Sequence, residues 1–383
     1  MKKVLKIILL LIILIAVVYL CLPHYARQAL RYLYPDIYDL ERFDRHTVEA
    51  PDSCLPWPHT TDYNLYRLST TEAAYLDSME TTAFLVFQHD SIVFENYRND
   101  GCDTLTSNIF SATKSIVSLL TGIACEEGYI KSIDDPVSKY LPAFSKGRRS
   151  EITLRHLLTM SASMSWDESY SSLFSMTTQG YYGNNLYRLV TELDVTGRPG
   201  YQYTYRSGET QVLAFALEAA TGKTLSDYAE EKLWRPLQAE HDAYWLLDRK
   251  GGDEKAFCCF HTTARDVARL GHLMLHEGQW HGQQIVPASY MREATTPASY
   301  LRNQWDNGAL DYYGLQFWIV EIDGKSYPYM RGMDGQYIVA IPERGALFVR
   351  LGHKSTDVYV GPHQADLFRY LALASEILDA RME

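Results

Sequence analysis

Hydrophobic residues form short, dense runs near both ends of the chain and are spaced at helical intervals between them. Two apolar runs between Thr82 and Tyr97 flank the polar residues 88–91, which predicts a β-hairpin. Toward the other end, turn residues at 323–324 and 342–345 separate further apolar runs. These predict an antiparallel meander with strands over residues 313–321, 327–330, 336–341 and 346–352. A last amphipathic helix is predicted over residues 365–378.

The middle of the chain is predicted to be mainly helical. Apolar residues at three- and four-residue intervals predict helices over residues 111–124, 152–158, 211–221, 225–233 and 262–275. Strands at both ends with helices between them indicate an α/β (α+β) fold. One antiparallel sheet is expected from both termini, with a helical lobe, roughly residues 115–300, inserted into it. A functional site is expected in the cleft between these two parts.

The N-terminus departs from this pattern. Lys2, Lys3 and Lys6 precede an uninterrupted apolar run at residues 7–22, and no small-x-small cleavage site follows. We therefore predict an uncleaved membrane anchor through residues 4–22 rather than a cleaved signal. By the positive-inside rule, we expect the chain to cross the inner membrane once, with the rest of the chain on the periplasmic side. A lipoprotein acceptor role for Cys21 is disfavoured because bulky residues precede it.

These signals divide the chain into three regions. Residues 1–25 form the anchor or signal, and residues 76–383 form the globular domain. Residues 26–75 mix aromatic residues, charges and prolines without a sustained period. That segment is expected either to wrap the domain or to hold it away from the membrane.

Composition and charge exclude some classes of partner. With 46% hydrophobic and 22% charged residues, the 383-residue chain has an ordinary globular composition. The net charge is −11 and no Lys/Arg run occurs in the body of the chain, so a nucleic-acid partner is not expected. The six cysteines lack the spacing of a disulfide scaffold or zinc site. No disulfide is predicted, Cys125 is expected in the core, and Cys258 and Cys259 are expected to point to opposite sides of a strand.

Candidate chemistry first appears at Ser111 and Lys114. Three residues apart at the start of a predicted helix, their side chains would share one face. A lysine can accept the proton of a nucleophilic serine, and the helix N-terminus favours a developing negative charge. The alternative interpretation makes Ser111 a helix N-cap and Lys114 an exposed first-turn residue.

Two further stretches carry candidate residues. Tyr205 and Ser207 follow a Pro-Gly turn; a phenol near an ammonium can shift toward its anion and act as a base, and Ser207 could hold it in place. At the start of a strand, Gly332 permits close approach of a backbone, so the N–H of Met333 could complete an oxyanion hole. A packing tyrosine and a β-bulge are the alternatives.

A metal site is conceivable around His272 and His276, which lie one helical turn apart with Glu277 and His281 nearby. No third ligand arrives in a clear motif. Structural or surface histidines are therefore the favoured interpretation, and no metal and no cofactor are predicted.

The order Ser-x-x-Lys, Tyr-x-Ser and Gly-rich strand resembles the serine β-lactamase and penicillin-binding-protein family, especially its class C β-lactamase, esterase and 6-aminohexanoate-dimer hydrolase branch. The resemblance covers roughly residues 82–378. It implies the β-lactamase/transpeptidase fold and acyl transfer without metal or cofactor. By the resemblance, Ser111 is the acylated nucleophile, Lys114 its proton acceptor and Tyr205 the proton shuttle. Ser207 completes the second motif, and the N–H groups of Ser111 and Met333 form the oxyanion hole.

The third motif departs from the family pattern. Where the family has Lys or His, then Thr or Ser, then Gly, this chain has Met330-Arg331-Gly332. That change argues against an efficient β-lactamase and favours an amidase or esterase. The expected substrate contacts, which include a tyrosine on the loop before the Pro-Gly turn, are Tyr170, Tyr181, Tyr182, Arg331, Gly332 and Gln336.

We therefore predict a membrane-anchored, exported serine hydrolase that cleaves a small-molecule amide or ester, or a peptide. Two alternatives stay open: a β-lactamase or penicillin-binding D-Ala-D-Ala peptidase, and a non-catalytic binding protein on the same fold.

Overall fold

The computed structural model of the chain describes residues 1–381. The elements of the first half are α1 (Lys2–Cys21), α2 (His24–Tyr32), β1 (Arg45–Val48), α3 (Thr70–Ser78), β2 (Thr81–Gln88), β3 (Ser91–Tyr97), β4 (Ser107–Asn108), α4 (Thr113–Glu126), α5 (Leu154–Leu158), α6 (Met176–Tyr182) and α7 (Leu186–Thr191). Those of the second half are α8 (Ser207–Thr221), α9 (Leu225–Ala229), β5 (Ala243–Leu246), β6 (Phe260–Thr262), α10 (Ala264–Leu275), β7 (Gln279–Trp280), β8 (Gln283–Gln284), α11 (Ala288–Ala294), β9 (Trp318–Ile322), β10 (Lys325–Gly332), β11 (Gln336–Ile341), β12 (Ala346–Gly352), β13 (Tyr359–Val360), β14 (His363–Gln364) and α12 (Ala365–Asp379).

The main sheet is antiparallel and has the strand order β3-β2-β12-β11-β10-β9, so it is built from both ends of the chain as predicted. Its central strand β2 is apolar on both faces. Leu85 and Phe87 join the core beneath α10, whereas Phe84 and Val86 join the core that α12 covers. Burial of both faces explains why this strand shows a continuous apolar run instead of alternation.

Helix α4 lies in the centre of the molecule, between the sheet and the helical lobe. The sequence predicts one buried face, yet 12 of the 14 residues of α4 are buried. A helix enclosed on all sides has no solvent face, so its small polar residues, such as Ser115 and Ser118, bond to neighbouring backbone instead. The turn that precedes α4 is therefore attached to an enclosed helix.

The segment at residues 26–75 wraps the domain. Strand β1 pairs with β5 across the register Arg45↔Leu246, in a second sheet of order β1-β5-β6-β4. Val48 and Trp57 are buried in the main core. This sheet joins residues about 200 positions apart, and such non-local pairing leaves no periodic signal in either partner.

Several predicted elements have different bounds; for example, the helix predicted at 211–221 starts at Ser207 and the strand predicted at 327–330 spans Lys325–Gly332. The helix predicted at 225–233 is α9 followed by a π-helical turn, Glu230–Trp234. The strand predicted to start at residue 313 starts at Trp318. Tyr313 and Trp318 form a bridge around a tight turn in which Gln316 has φ of +65°, and so the first apolar residues belong to that turn.

Helix α1 is long and apolar enough to cross a membrane, and none of its residues is buried against the domain. A signal sequence at this position meets the same description.

Candidate active site

A short 3₁₀ turn, Phe110–Ala112, carries Ser111 and leads directly into α4. Phe110 is buried with φ of +45°, a conformation that a bulky side chain adopts only when its surroundings impose it. Its N–H donates to Asn108 Oδ1 at 2.9 Å, and the N–H of Ile109 donates to the Phe260 carbonyl at 3.0 Å. These bonds fix Ser111 at the entrance between the sheet and the helical lobe.

Lys114 lies beneath Ser111. Its Nζ donates to Ser111 Oγ at 2.8 Å and to the Phe257 carbonyl at 2.6 Å. The lysine side chain is only 1% exposed. The alternative of an exposed first-turn lysine is therefore wrong, and the two side chains share a helix face as the spacing predicts.

Burial sets the protonation of Lys114. Desolvation lowers the pKa of the Lys114 ammonium to about 7, and the negative charge of Glu168 opposes this shift only in part. Near neutral pH a large fraction of the lysine is therefore an uncharged amine. Such an amine, in contact with a hydroxyl, can take up the proton of that hydroxyl.

Tyr205 lies over the same lysine, with its ring centroid 5.0 Å from Lys114 Nζ. Desolvation raises the pKa of the Tyr205 phenol, chiefly opposed by contact with Ser111 and by the charge of Arg331. The phenol therefore keeps its proton at neutral pH. Burial thus opposes the predicted shift of this tyrosine toward its anion.

Ser207 contacts Glu168 and not Tyr205. Both its N–H and its Oγ donate to the Glu168 carboxylate, each at 2.6 Å. The Tyr170 hydroxyl donates to the same carboxylate at 2.5 Å. We expected Ser207 to hold Tyr205 directly, and it does not. Glu168, which no motif indicated, ties the start of α8 at Ser207 to the loop that carries Tyr170.

The edge of β10 lies against the nucleophile turn because Gly332 has no side chain. A Cβ at Gly332 would lie 2.1 Å from the Ile109 carbonyl oxygen, and the backbone φ there is an ordinary −116°. Met333 follows and lines the same cavity as Ser111. Gly332 therefore allows two backbones to approach closely, and it is not needed for a turn. The β-bulge alternative is not needed to explain it.

Two expected substrate contacts on this edge have other roles. Gln336 is fully buried; its amide bonds the backbone of Met333 and Gly352. It holds β11 and β12 in place, so the expectation that it contacts substrate is wrong. The Arg331 guanidinium lies 5.0 Å from the Trp318 ring centroid and 5.7 Å from that of Tyr359.

A cavity of about 560 Å³ opens over Ser111. The three candidate tyrosines Tyr170, Tyr181 and Tyr182 line it, as do Ser207, Met333 and Cys258. Of these tyrosines, Tyr170 is 55% exposed, whereas the other two are almost fully buried. The Tyr181 hydroxyl donates to Asp39 at 2.6 Å, so its polar end faces the wrapping segment and not the cavity. Tyr170 is the tyrosine most accessible to a ligand.

Cys258 and Cys259 form a disulfide between neighbouring residues. The expectation that their side chains point to opposite sides of a strand is wrong, because these residues precede β6 and Cys259 has φ of +78°. Cys21, Cys54, Cys102 and Cys125 are free thiols, and Cys125 is only half-buried.

His272 on α10 and His276, which directly follows α10, lie close to Asp90 in the β2–β3 turn. His272 Nε2 lies 2.8 Å and His276 Nε2 3.4 Å from Asp90 Oδ1. The sequence did not indicate Asp90 as a third member. Buried Nδ1 of His272 has no hydrogen-bond partner within residues 1–381. A metal-bound imidazole usually donates its other nitrogen, so we keep the interpretation of structural histidines.

Comparison with known proteins identifies the family of the chain. The chain is 26% identical over 282 residues to the 6-aminohexanoate-dimer hydrolase of Paenarthrobacter ureafaciens, covering 64% of this chain and 70% of that protein. A Bacillus anthracis structure with the provisional name 6-aminohexanoate-dimer hydrolase superposes with a TM-score of 0.78 at 21% identity, over 92% of this chain and 94% of the other. A family VIII carboxylesterase superposes with a TM-score of 0.64 at 17% identity, over 80% and 95%. The family model named Beta-lactamase matches residues 68–367, and the chain therefore belongs to this family of serine hydrolases.

Proposed function

We propose that this hydrolase cleaves an ester or amide bond through an acyl-enzyme on Ser111. The observation that carries the proposal is the buried Lys114 Nζ at 2.8 Å from Ser111 Oγ, with its pKa lowered to about 7. A fully buried lysine is rare unless its charge is compensated or its proton is lost. Here the neutral amine is directed at a single hydroxyl group, which is the arrangement that an activated nucleophile needs.

The proton path follows from these contacts. Neutral Lys114 takes the Ser111 proton as Oγ attacks the carbonyl carbon, and the N–H groups of Ser111 and Met333 stabilise the oxyanion. Tyr205 keeps its proton, so it gives that proton to the leaving alcohol or amine, and Lys114 returns one to Tyr205. A water molecule then attacks the acyl-enzyme by the same path in reverse and releases the acid.

The substrate class follows from the edge of β10. Met330 is fully buried and Arg331 turns toward Trp318 and Tyr359, so the cation–hydroxyl pair that would bind a carboxylate is absent from that described edge. The expected substrate is therefore a neutral acyl ester or amide. Tyr170, whose hydroxyl donates to Glu168 and whose side chain lines the cavity, is the residue we propose beside the leaving group.

This assignment is tested with a substrate panel on the full-length chain. Chromogenic esters, anilides, D-amino-acid peptides and a fluorescent penicillin are incubated with the wild type and Ser111→Ala. Turnover of an ester or anilide by the wild type alone, without stable penicillin labelling, supports the proposal. Stable penicillin labelling with no turnover of the others points to a penicillin-binding enzyme, and ligand binding without any turnover points to the binding-protein alternative.

We also propose that α1 anchors the domain in the inner membrane, with the domain on the periplasmic side. The absence of a small-x-small site after α1 in the sequence supports retention of the helix. Lys2, Lys3 and Lys6 before α1 support the orientation.

Gly332→Ala is expected to lower kcat by about 10²-fold, because the new Cβ forces β10 away from the Ile109 carbonyl and the Met333 N–H away from the oxyanion. Steady-state kinetics on the best ester measure this loss. Gly101→Ala is the matched control, since its Cβ would lie 2.0 Å from the Thr82 carbonyl oxygen, and neither residue lines the cavity over Ser111. Both variants should lose stability, about 1–3 kcal/mol each. An equal effect of both on kcat would refute the role of Gly332.

Glu168→Gln is expected to lower kcat about tenfold, since the bonds to Ser207 and Tyr170 weaken and Tyr205 is held less firmly. It should also shift the acidic limb of the pH–rate profile to lower pH. The Glu168 charge raises the pKa of Lys114, so its removal lets that pKa fall further below about 7. A full pH–rate profile measures both effects, and Asp167→Asn, the exposed neighbour, is the control. An unchanged acidic limb would contradict the electrostatic coupling.

A further inference from the structure

The cavity over Ser111 shares a wall with the chain that directly follows α1. Ala29, Leu33, Tyr34 and Pro35 line it, although they lie some 80 residues before the nucleophile. We call residues 24–35 the membrane-proximal segment. It places apolar side chains between the predicted membrane helix and the catalytic serine.

This segment is fixed to the catalytic domain. Ala26 and Ala29 of α2 are buried against α6, and the Tyr32 ring stacks on Tyr182 at 6.5 Å. Just beyond the segment, the Ile37 carbonyl accepts from the N–H of Asn108, two residues before Phe110. The segment therefore has a defined position relative to the nucleophile turn instead of being a loose tether.

The outer side of the same segment is apolar and exposed. Leu30 is 46%, Leu33 68% and Tyr34 77% exposed, and Phe174, next to the cavity-lining Leu173, is 61% exposed. Large apolar side chains grouped around the entrance of a cavity are unusual on a water-facing surface. Helix α1 ends at Cys21 and α2 begins at His24, so only two residues separate the predicted span from the helix that carries Leu30.

The charge of the segment fits a lipid surface. Residues 24–35 contain Arg27 and Arg31 and no Asp or Glu, although the whole chain has a net charge of −11. Arg27 and Arg31 lie on α2, beside the exposed leucines. Cationic side chains beside apolar ones are typical of helices that lie at the interface of an anionic bilayer.

We propose that the membrane-proximal segment seats the mouth of the catalytic cavity on the bilayer, so that the enzyme takes its substrates from the lipid phase. The substrate class is then an amphiphilic ester or amide, with its apolar chain along Leu33 and Tyr34 and its carbonyl at Ser111. This inference rests on the proposed hydrolase activity, and it adds the source and the character of the substrate. A soluble partner protein would not explain why the exposed patch adjoins the spanning helix.

The bilayer contact is tested without any substrate. Full-length Tyr34→Trp and Tyr300→Trp are reconstituted in phosphatidylcholine/phosphatidylglycerol vesicles whose acyl chains carry bromine, which quenches tryptophan on contact. Both positions are well exposed tyrosines, and Tyr300 lies on the helical lobe away from the cavity. Quenching of the added tryptophan at 34 but not at 300 supports the contact. No added quenching at either position, or equal quenching at both, overturns it whatever the enzyme hydrolyses.

The substrate class is tested by a ratio of rates. A long-chain fluorogenic ester embedded in the same vesicles and a short water-soluble ester are given to Leu33→Asp and to Leu65→Asp, two leucines that are each 68% exposed. Leu33→Asp should lower the ratio of embedded to soluble hydrolysis by about tenfold or more, since a charge at the lipid contact opposes docking. Leu65→Asp should leave the ratio unchanged. Equal ratios in both variants would overturn the proposal that the substrate comes from the lipid phase. A wild type that hydrolyses neither ester and does not react with a fluorophosphonate would refute the hydrolase assignment, and the substrate class with it.

Discussion

Ser111→Ala is expected to abolish turnover of every ester or amide that the wild type cleaves, with a loss of at least about 10⁴-fold in kcat. Without Oγ no acyl-enzyme forms, and the remaining oxyanion N–H groups can assist only the slow direct attack of water. Stopped-flow or steady-state assays with the best ester of the panel measure the loss.

Ser171→Ala is the matched control for this change. Ser171 is exposed in the same cavity, yet the Lys114 Nζ donates to Ser111 and to Phe257 and not to it. Its kcat should stay within about twofold of the wild type. Full activity of Ser111→Ala, with the protein folded, would contradict the acyl-enzyme account.

Lys114→Met is expected to slow acylation of Ser111 by about 10³-fold, because the base is lost while the volume is nearly kept. The fold should persist. The pKa of Lys114 is lower in the folded chain, at about 7, than in the unfolded chain, so the lysine costs stability below its unfolded pKa and methionine removes that cost. Single-turnover kinetics and thermal unfolding together separate the two effects.

The pH dependence of the acylation rate tests which protonation state of Lys114 is active. Protonated Lys114 cannot accept a proton, so the wild-type acylation rate should fall about tenfold per pH unit below about 7 and level off above it. Lys114→Met should lose this limb. Lys255→Met is the control: Lys255 is also fully buried but contacts the Phe43 ring, and its removal should leave the limb in place. A wild-type rate that is flat from pH 5 to 8 would contradict the role of Lys114.

Much of the fold could be predicted because its signals are local. The β2–β3 hairpin, the strands β11 and β12 and the closing helix α12 each have a period or a turn of their own. The second sheet could not be predicted, since β1 and β5 are short and find each other only in the folded chain. Burial of α4 on all sides likewise depends on neighbours that its own pattern does not encode.

The pairing of Ser111 with Lys114 could be predicted because it depends on a fixed spacing within one turn of helix. Glu168 could not, since a single carboxylate in a loop gives no signal until the fold brings it to Ser207. The sequence likewise shows a cation near Tyr205 but not the burial that raises the pKa of its phenol. Gln336 is the opposite case. It is a polar residue in a candidate motif, but its side chain forms hydrogen bonds to the backbone.

The most direct test of the central claim is covalent labelling of the full-length protein with a fluorophosphonate, followed by intact mass and peptide mapping. We predict a single adduct on Ser111, absent from Ser111→Ala and formed about 10³-fold more slowly in Lys114→Met. No adduct on the folded wild type, or an adduct on another residue that persists in Ser111→Ala, would contradict the account.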